Sequence, residues 1–337
     1  MSSSEAELQQ LWNFPSDYII TIFCHKIMGI NQTRITEVIL LGFQVEPSLE
    51  MFLFGLFLLF YSLTLIGNGI ILGLICLDAR LHTPMYFFLS HLAIVDMSYA
   101  SSTAPKMLTN IVMNQKSISF ASCILQTFLY LAFAVTECLI LVVMSYDRFV
   151  AICHPLQYTL TMSWRVCAIL AATCWGFSFL LASVHITLIL RLPFCGPQKV
   201  NHFFCQIMSV FRLACADTRL NQVVLFAGSV MVLLGPLCLV LVSYTRILVA
   251  ILGIHSGEGR RKAFSTCSSH LCVVGLFFGC AIAMYMAPKS NHSQEHRKIL
   301  SLFYSLFNPM LNPLIYSLRN TEVKGAVRRV VWKQRSL

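Results

Sequence analysis

Two acids sit inside stretches that carry no other charge. Asp96 lies in "PMYFFLSHLAIVDMSYASSTAP" (84–105) and Glu137 in "FASCILQTFLYLAFAVTECLILVVMSY" (120–146). An ionisable side chain in such a run costs about 2.5–3.5 kcal/mol on membrane-insertion scales, which makes each a functional candidate. Two chemistries are open to them: a switch sensitive to sodium or protons, or a hydrogen-bonded polar core that sets helix packing. A second feature ends the same run as Glu137. In "MSYDRFVAICHP" (144–155) Asp147 and Arg148 stand side by side. They are either a charged helix end reaching water or a local lock in which Asp147 holds Arg148. Four cysteines, Cys123, Cys195, Cys205 and Cys215, offer disulfide chemistry, and four cysteines allow three pairings. His202 near Cys205 suggests a metal, but without a strong ligand spacing. No nucleophile–base constellation, phosphate loop or metal-hydrolase spacing occurs, so the expected chemistry is binding and switching, not catalysis.

The elements that hold these residues must be membrane helices. The 337-residue chain is 57% hydrophobic and 11% charged, with a mean hydropathy of +0.73, whereas a soluble domain carries about 25% charged residues. A spanning helix needs about 20 mostly apolar residues. Seven candidates follow one another: Met51 to Leu77, Pro84 to Pro105, Phe120 to Tyr146, Val166 to Leu190, Val223 to Thr245, Ala263 to Ala287 and Ile299 to Leu318. The expected fold is all-α and integral to the membrane, a seven-helix bundle over 51–318. An outer segment (1–50) precedes it and a basic cytoplasmic tail (319–337) follows. Residues 1–27 read as an upstream extension, with no cleavable signal peptide, and "MGINQTRITEVILLGF" reads as a beginning of its own.

An odd number of spans puts the termini on opposite sides. Asn31 and, more weakly, Asn291 are glycosylation acceptors that fall on one side. The four cysteines fall there too, on the side where disulfides persist. Short loops on the other side are rich in Lys and Arg, as cytoplasmic loops are. These signs agree on an outer N-terminus and an inner C-terminus, and on a multi-pass protein of the plasma membrane. The net charge of +10 therefore reads as attraction to a lipid surface, and no nucleic-acid partner is expected. The tail "KGAVRRVVWKQR" (324–335) interleaves basic residues with valines and Trp332, which suits an amphipathic helix on anionic lipid.

The stretches "PMYFFLSHLAIVD", "MSYDRFVAICHPLQY", "SY" (243–244), "KAFSTCSSHL" (262–271) and "NPMLNPLIYSLRN" (308–320) resemble the signatures of odorant (olfactory) receptors. These belong to the rhodopsin-like G-protein-coupled receptors. The resemblance runs from about Met28 to the C-terminus, and its texture is closest to family 2, subfamily A. It implies Cys123–Cys205 and Cys195–Cys215 pairing. It implies a polar core of Asn68, Asp96, Glu137 and Asn308, with room for a structural sodium ion and no other cofactor. It implies a coupling and switch region of Asp147, Arg148, Tyr244, Lys262, Asn312, Pro313 and Tyr316, facing a stimulatory heterotrimeric G protein that raises cyclic AMP.

The ligand pocket is expected between spans three, five, six and seven. Its candidate lining is Thr127, Tyr130, Leu131, Ala134, Ser229, Ala281, Ile282, Tyr285, Leu302 and Ser305. The span-three members share one helical face. So few charges fit a neutral, volatile, largely apolar molecule, with an anion drawn by Lys289 ranked second. Three residues depart from the family pattern: His91 for Asn, Phe149 for Tyr, and Phe278 for Tyr near the expected pocket floor. His185 and His270, near span ends, read as interfacial. The alternatives are the same receptor serving a tissue outside the olfactory epithelium, and a proton-coupled transporter. The latter lacks the paired repeats with broken helices that transporters often show.

Overall fold

Proline placement sets the helix starts. Pro47 and Pro84 each occupy the first turn of a helix, where a missing N–H costs nothing and the fixed φ is already helical. The computed structural model describes residues 35–42, 45–113, 116–195, 198–253, 256–286, 293–319 and 321–335, without the side chains of 258–259, 262–263, 265–266, 293–297, 317–319, 321 and 331–335. Helix α1 spans Pro47–Leu77, α2 Pro84–Val112, α3 Phe120–Cys153, α4 Trp164–Leu190, α5 Arg219–Leu252 and α6 Gly257–Tyr285. Helix α7 comprises Ser293–Leu302, a π-helical turn at Phe303–Phe307, and Asn308–Arg319. Helix α8 spans Thr321–Arg335. The helices overrun the apolar stretches: α5 begins four residues before Val223 and ends seven after Thr245.

Among the described residues five helices are long and apolar enough to cross a membrane: α1, α3, α4, α5 and the Cys267–Tyr285 part of α6. In α2 the Asp96 carboxyl, Lys106 and a run of Ser and Thr dilute the apolar character. The helices pack in sequence order, α1 on α2 and α2 on α3, with α3 also against α4 and α5. Then α5 meets α6, α6 meets α7, and α7 returns to α1. The ring so formed leaves α3 the most buried of the apolar helices and α1 the least.

At one end of the bundle a small sheet forms a lid. Its strands β1 (Glu37–Leu40), β2 (Ser117–Ser119) and β3 (Lys199–Val200) lie in the order β2-β1-β3. Val38 is opposite Ile118 in the antiparallel pair, and Ile39 is opposite Lys199 in the parallel one. Of the three pairings open to the four cysteines, the protein takes Cys123–Cys205 and Cys195–Cys215, with Cα separations of 5.3 and 5.7 Å. The first ties the start of α3 to the lid. Closing a loop in this way typically contributes about 2–4 kcal/mol.

One close approach needs glycine. A Cβ on Gly67 of α1 would lie 3.0 Å from Pro313 Cγ and 3.2 Å from its Cβ. Pro313, without an N–H, cannot bond the carbonyl one turn earlier in α7, that of Pro309. Asn68 fills the gap: its Nδ2 donates to Pro309 O at 3.1 Å and to Thr64 O at 3.0 Å. The glycine lets α1 come near enough for the asparagine to reach.

Candidate ligand cavity and switch

Between the helices, toward the disulfide end, lies a cavity of about 40 Å³. Leu131, Ala134, Val135 and Cys138 of α3 form one wall, a continuous stripe at helical spacing. Helix α5 supplies Leu225, Gly228, Ser229, Val232 and Leu233, and α6 supplies Ala281 and Tyr285. Helix α4 adds Leu181 and His185, and α7 adds Tyr304. The lining is apolar apart from a few uncharged polar groups, and it contains no acid, lysine or arginine.

Five residues expected to line the pocket do so: Leu131, Ala134, Ser229, Ala281 and Tyr285. The other five do not. Thr127 is engaged by the lid, its hydroxyl within 2.9 Å of Cys123 O and 3.1 Å of Cys205 O. Tyr130 turns toward a buried aromatic cluster, with ring centroids 4.9 Å from Tyr99 and 5.0 Å from Phe204. Ile282 follows Ala281 by about 100° around the helix and leaves the cavity face. In α7 the π-helical turn resets the register, so that Tyr304 meets the cavity while Leu302 and Ser305 do not.

The expected pocket omitted α4, and His185 is not interfacial. It is 6% exposed, and its Nδ1 lies 2.9 Å from Leu181 O. The only hint in the sequence was a ring able to hydrogen-bond within an apolar span, and the small Gly228 that lets it approach. Phe278 is buried against Phe277 and does not line the cavity. His91 accepts the Trp175 indole N–H at 3.2 Å, joining α2 to α4.

The intramembrane acids meet below this level. Asn312 Nδ2 donates to both Asp96 oxygens, at 3.1 and 3.0 Å, and lies 3.5 Å from Glu137 Oε1. Asn308 Nδ2 donates to Glu137 Oε1 at 2.9 Å. All five polar residues are buried, Asn68 among them. Among the described residues Glu137 Oε2, Asn308 Oδ1 and Asn312 Oδ1 are buried without a hydrogen-bond partner.

At the far end from the disulfides, the Asp147–Arg148 lock is absent. Successive side chains on a helix point about 100° apart and do not face each other. Asp147 instead accepts the Tyr158 hydroxyl at 2.8 Å, and Arg148 Nη2 donates to Met85 Sδ. His270, expected at an interface, is fully buried. Its Nδ1 is 2.7 Å from Tyr244 Oη, and the two rings stack, linking α5 to α6. Tyr316 is buried nearby on α7, and its hydroxyl has no partner among the described residues. Phe149 packs edge-on against His154. The side chain of Lys262 lies outside the described residues, as do Asn31, Lys289, Asn291 and the side chain of Trp332.

Helix α8 buries Val323 and Ala326 and exposes Lys324 and Arg328. Arg329 reaches Asp78 between α1 and α2, with Nε at 2.8 Å and Nη2 at 2.6 Å. Hydrogen bonds from Arg329 and the Arg80 backbone hold the Asp78 carboxyl below the usual carboxylate range.

The metal reading at His202 does not fit. The Cys205 sulfur is bonded to Cys123. His202 Nδ1 accepts the Phe204 N–H at 3.4 Å, and Nε2 faces Ser301 Oγ at 3.0 Å. Burial, then the Lys298 charge, push the His202 imidazole down to about 3. Among the described residues no three His, Cys, Asp or Glu side chains gather as metal ligands do.

Comparison with known proteins agrees with this arrangement. Squid rhodopsin superposes with a TM-score of 0.64 at 17% identity, covering 85% of this chain and 86% of that one, and so shares the fold. The family model described as "Olfactory receptor" matches residues 57–334. Human olfactory receptor 2A12 is 84% identical over 92% of this chain and 100% of its own length. Human olfactory receptor 2A5 is 72% identical and mouse olfactory receptor 2A7 is 63% identical, each with the same coverage. The chain belongs to the olfactory receptor family, family 2, subfamily A, and is a receptor rather than an enzyme.

Proposed function

We propose that this receptor binds a small, neutral, largely apolar volatile molecule in the cavity and couples to a stimulatory heterotrimeric G protein, raising cyclic AMP. The observation that carries the reading is the cavity between the helices, lined without any acid, lysine or arginine. At about 40 Å³ it is well below the roughly 150 Å³ of an apolar cavity that takes benzene. A ligand of odorant size therefore fits best when α5 and α6 move away from α3. It binds the expanded arrangement more tightly, and that difference alone shifts the equilibrium. The Tyr244–His270 link lies on the same two helices. Its loss would let α6 swing outward and open a cleft around Arg148, Tyr244 and Tyr316, with Arg260, Arg261 and Lys262 at its rim. A cyclic-AMP reporter tests this: with Arg148→Ala the agonist response should vanish. An undiminished response at normal surface expression would sink the proposal.

The polar core serves as a switch in the same reading. A sodium ion would find oxygen acceptors in Glu137, Asp96, Asn308 and Asn312, three of whose oxygens have no donor among the described residues. Glu137→Gln should then abolish any sodium dependence of agonist potency, and a dependence that persists excludes this site. The disulfide end faces outward and α8 lies on the inner leaflet of the plasma membrane. The buried Val323–Ala326 face and exposed basic residues of α8 support this placement. Glycosidase treatment of cell-surface receptor, with and without Asn31→Gln, checks the side.

A further inference from the structure

The cavity holds two polar atoms whose needs the protein leaves unmet. Among the described residues, His185 Nε2 and the Tyr285 hydroxyl are both buried without a hydrogen-bond partner. Both residues line the cavity. His185 is oriented by its other nitrogen, which lies 2.9 Å from Leu181 O. A carbonyl only accepts, so Nδ1 carries the proton, and in the neutral ring Nε2 presents a lone pair. Its position is bounded by Gly228, where an added Cβ would stand 3.4 Å from Nε2. Ser229 is not a competitor for this role, because its hydroxyl already donates to Leu225 O at 2.7 Å. The cavity thus offers one acceptor without a donor and one hydroxyl that Gln206 and Tyr130 approach without reaching hydrogen-bond distance, set in an apolar wall.

A buried polar atom left unmet discriminates between ligands by whether they meet it. A hydrocarbon meets neither atom, and an ether or aldehyde can only accept. An alcohol or phenol does both with one oxygen. A carboxylate would need a cation, which here only a protonated His185 could supply, since no lysine or arginine lines the cavity. We propose that the receptor selects small apolar alcohols and phenols, whose O–H donates to His185 Nε2 while their oxygen accepts from Tyr285. This rests on the reading that the ligand enters this cavity.

The probes are n-octanol and phenethyl alcohol, each with its methyl ether, aldehyde, parent hydrocarbon and carboxylic acid. They are read by cyclic AMP in cells with surface receptor quantified. Alcohols should be more potent than their ethers by roughly tenfold or more. His185→Phe should erase that preference while leaving the ether response. Where His185→Phe does not reach the surface, Tyr285→Phe carries the test. It should weaken alcohol, aldehyde and ether alike and leave any hydrocarbon response unchanged.

Ethers or acids that match the alcohols overturn the proposal, as does a preference that survives His185→Phe. The cavity reading is judged separately by Ala134→Trp and Ala281→Leu, which fill the space while leaving His185 and Tyr285 in the sequence. If these variants silence every active probe, the cavity stands and only the hydroxyl claim is at issue. Should responses survive both, or every probe be silent in the native receptor, the cavity reading falls and the proposal with it.

Discussion

His202 makes the lid a pH-sensitive strap. The ring accepts the Phe204 N–H through Nδ1, so the neutral form must present its proton at Nε2, toward Ser301 Oγ. Ser301 passes the chain on, donating to Lys298 O at 2.7 Å. Protonation at Nδ1 would break the Phe204 bond and set a cation beside Lys298, while Nε2 keeps its N–H toward Ser301, so the docked lid favours the neutral imidazole. The ring's pKa in the docked state is pushed down to about 3 by burial and by Lys298, against about 6.5 when the loop is free. The folded value is depressed, so the stability it carries is full above pH 6.5 and is lost as pH falls toward 3. Between about pH 7.5 and about pH 5.5 the free loop takes up a proton that the docked loop refuses, a loss of about 1.4 kcal/mol.

For a chain of this size that corresponds to a fall of about 2 °C in Tm. Tryptophan emission during heating is a suitable readout, since Trp175 is half-buried with its indole N–H on His91. Other groups titrate over the same range, so the diagnostic quantity is a difference. His202→Gln keeps an N–H donor but has no proton to gain. The native receptor should lose about 2 °C more than this variant over the two pH units. Equal losses would refute the assignment of a neutral, docked His202.

Three further changes test the arrangement elsewhere. Asn68→Ala strips the side-chain donor that, among the described residues, reaches Pro309 O and should cost about 1–3 kcal/mol, read as a lower Tm in purified receptor. A normal Tm would mean the carbonyl finds another partner. Tyr158→Phe removes the donor from Asp147, and ligand-independent cyclic AMP should rise; an unchanged baseline would show that this contact does not restrain Asp147. Arg329→Gln separates α8 from Asp78, so amide hydrogen exchange should quicken over Thr321–Arg335 while the bundle stays protected. Unaltered exchange would place the anchor of α8 in its buried valine and alanine alone.

These tests fall on both sides of what the sequence made legible. Helix positions were legible because five of the apolar runs are long enough to need a membrane, and periodicity within one helix needs no knowledge of its neighbours. The same periodicity found Leu131 and Ala134, whose stripe continues to Val135 and Cys138. Asp96 and Glu137 stood out because an acid in such a run is costly and rare. What stayed hidden depends on how helices meet. A stripe says which face is special but not what it faces, so Tyr130, on the same stripe, packs into aromatic rings while α4 brings to the cavity a histidine that reads as interfacial in the sequence.

Asp147 shows the limit most clearly. Adjacency in sequence suggested Arg148 as its partner, although neighbouring side chains on a helix diverge. Its actual partner comes eleven residues later, and only because α3 stops at His154, where Pro155 disfavours helix in its predecessor. The chain turns back there and brings the Tyr158 hydroxyl to the carboxylate. The stop signal was readable; the contact it creates required the turn to be built. If Asp147 restrains the resting state, the restraint acts through that turn, and its release is a movement of the Pro155–Thr161 segment rather than the parting of two neighbours on one helix. Tyr158→Phe distinguishes these, since it alters the turn's contact and leaves Arg148 untouched.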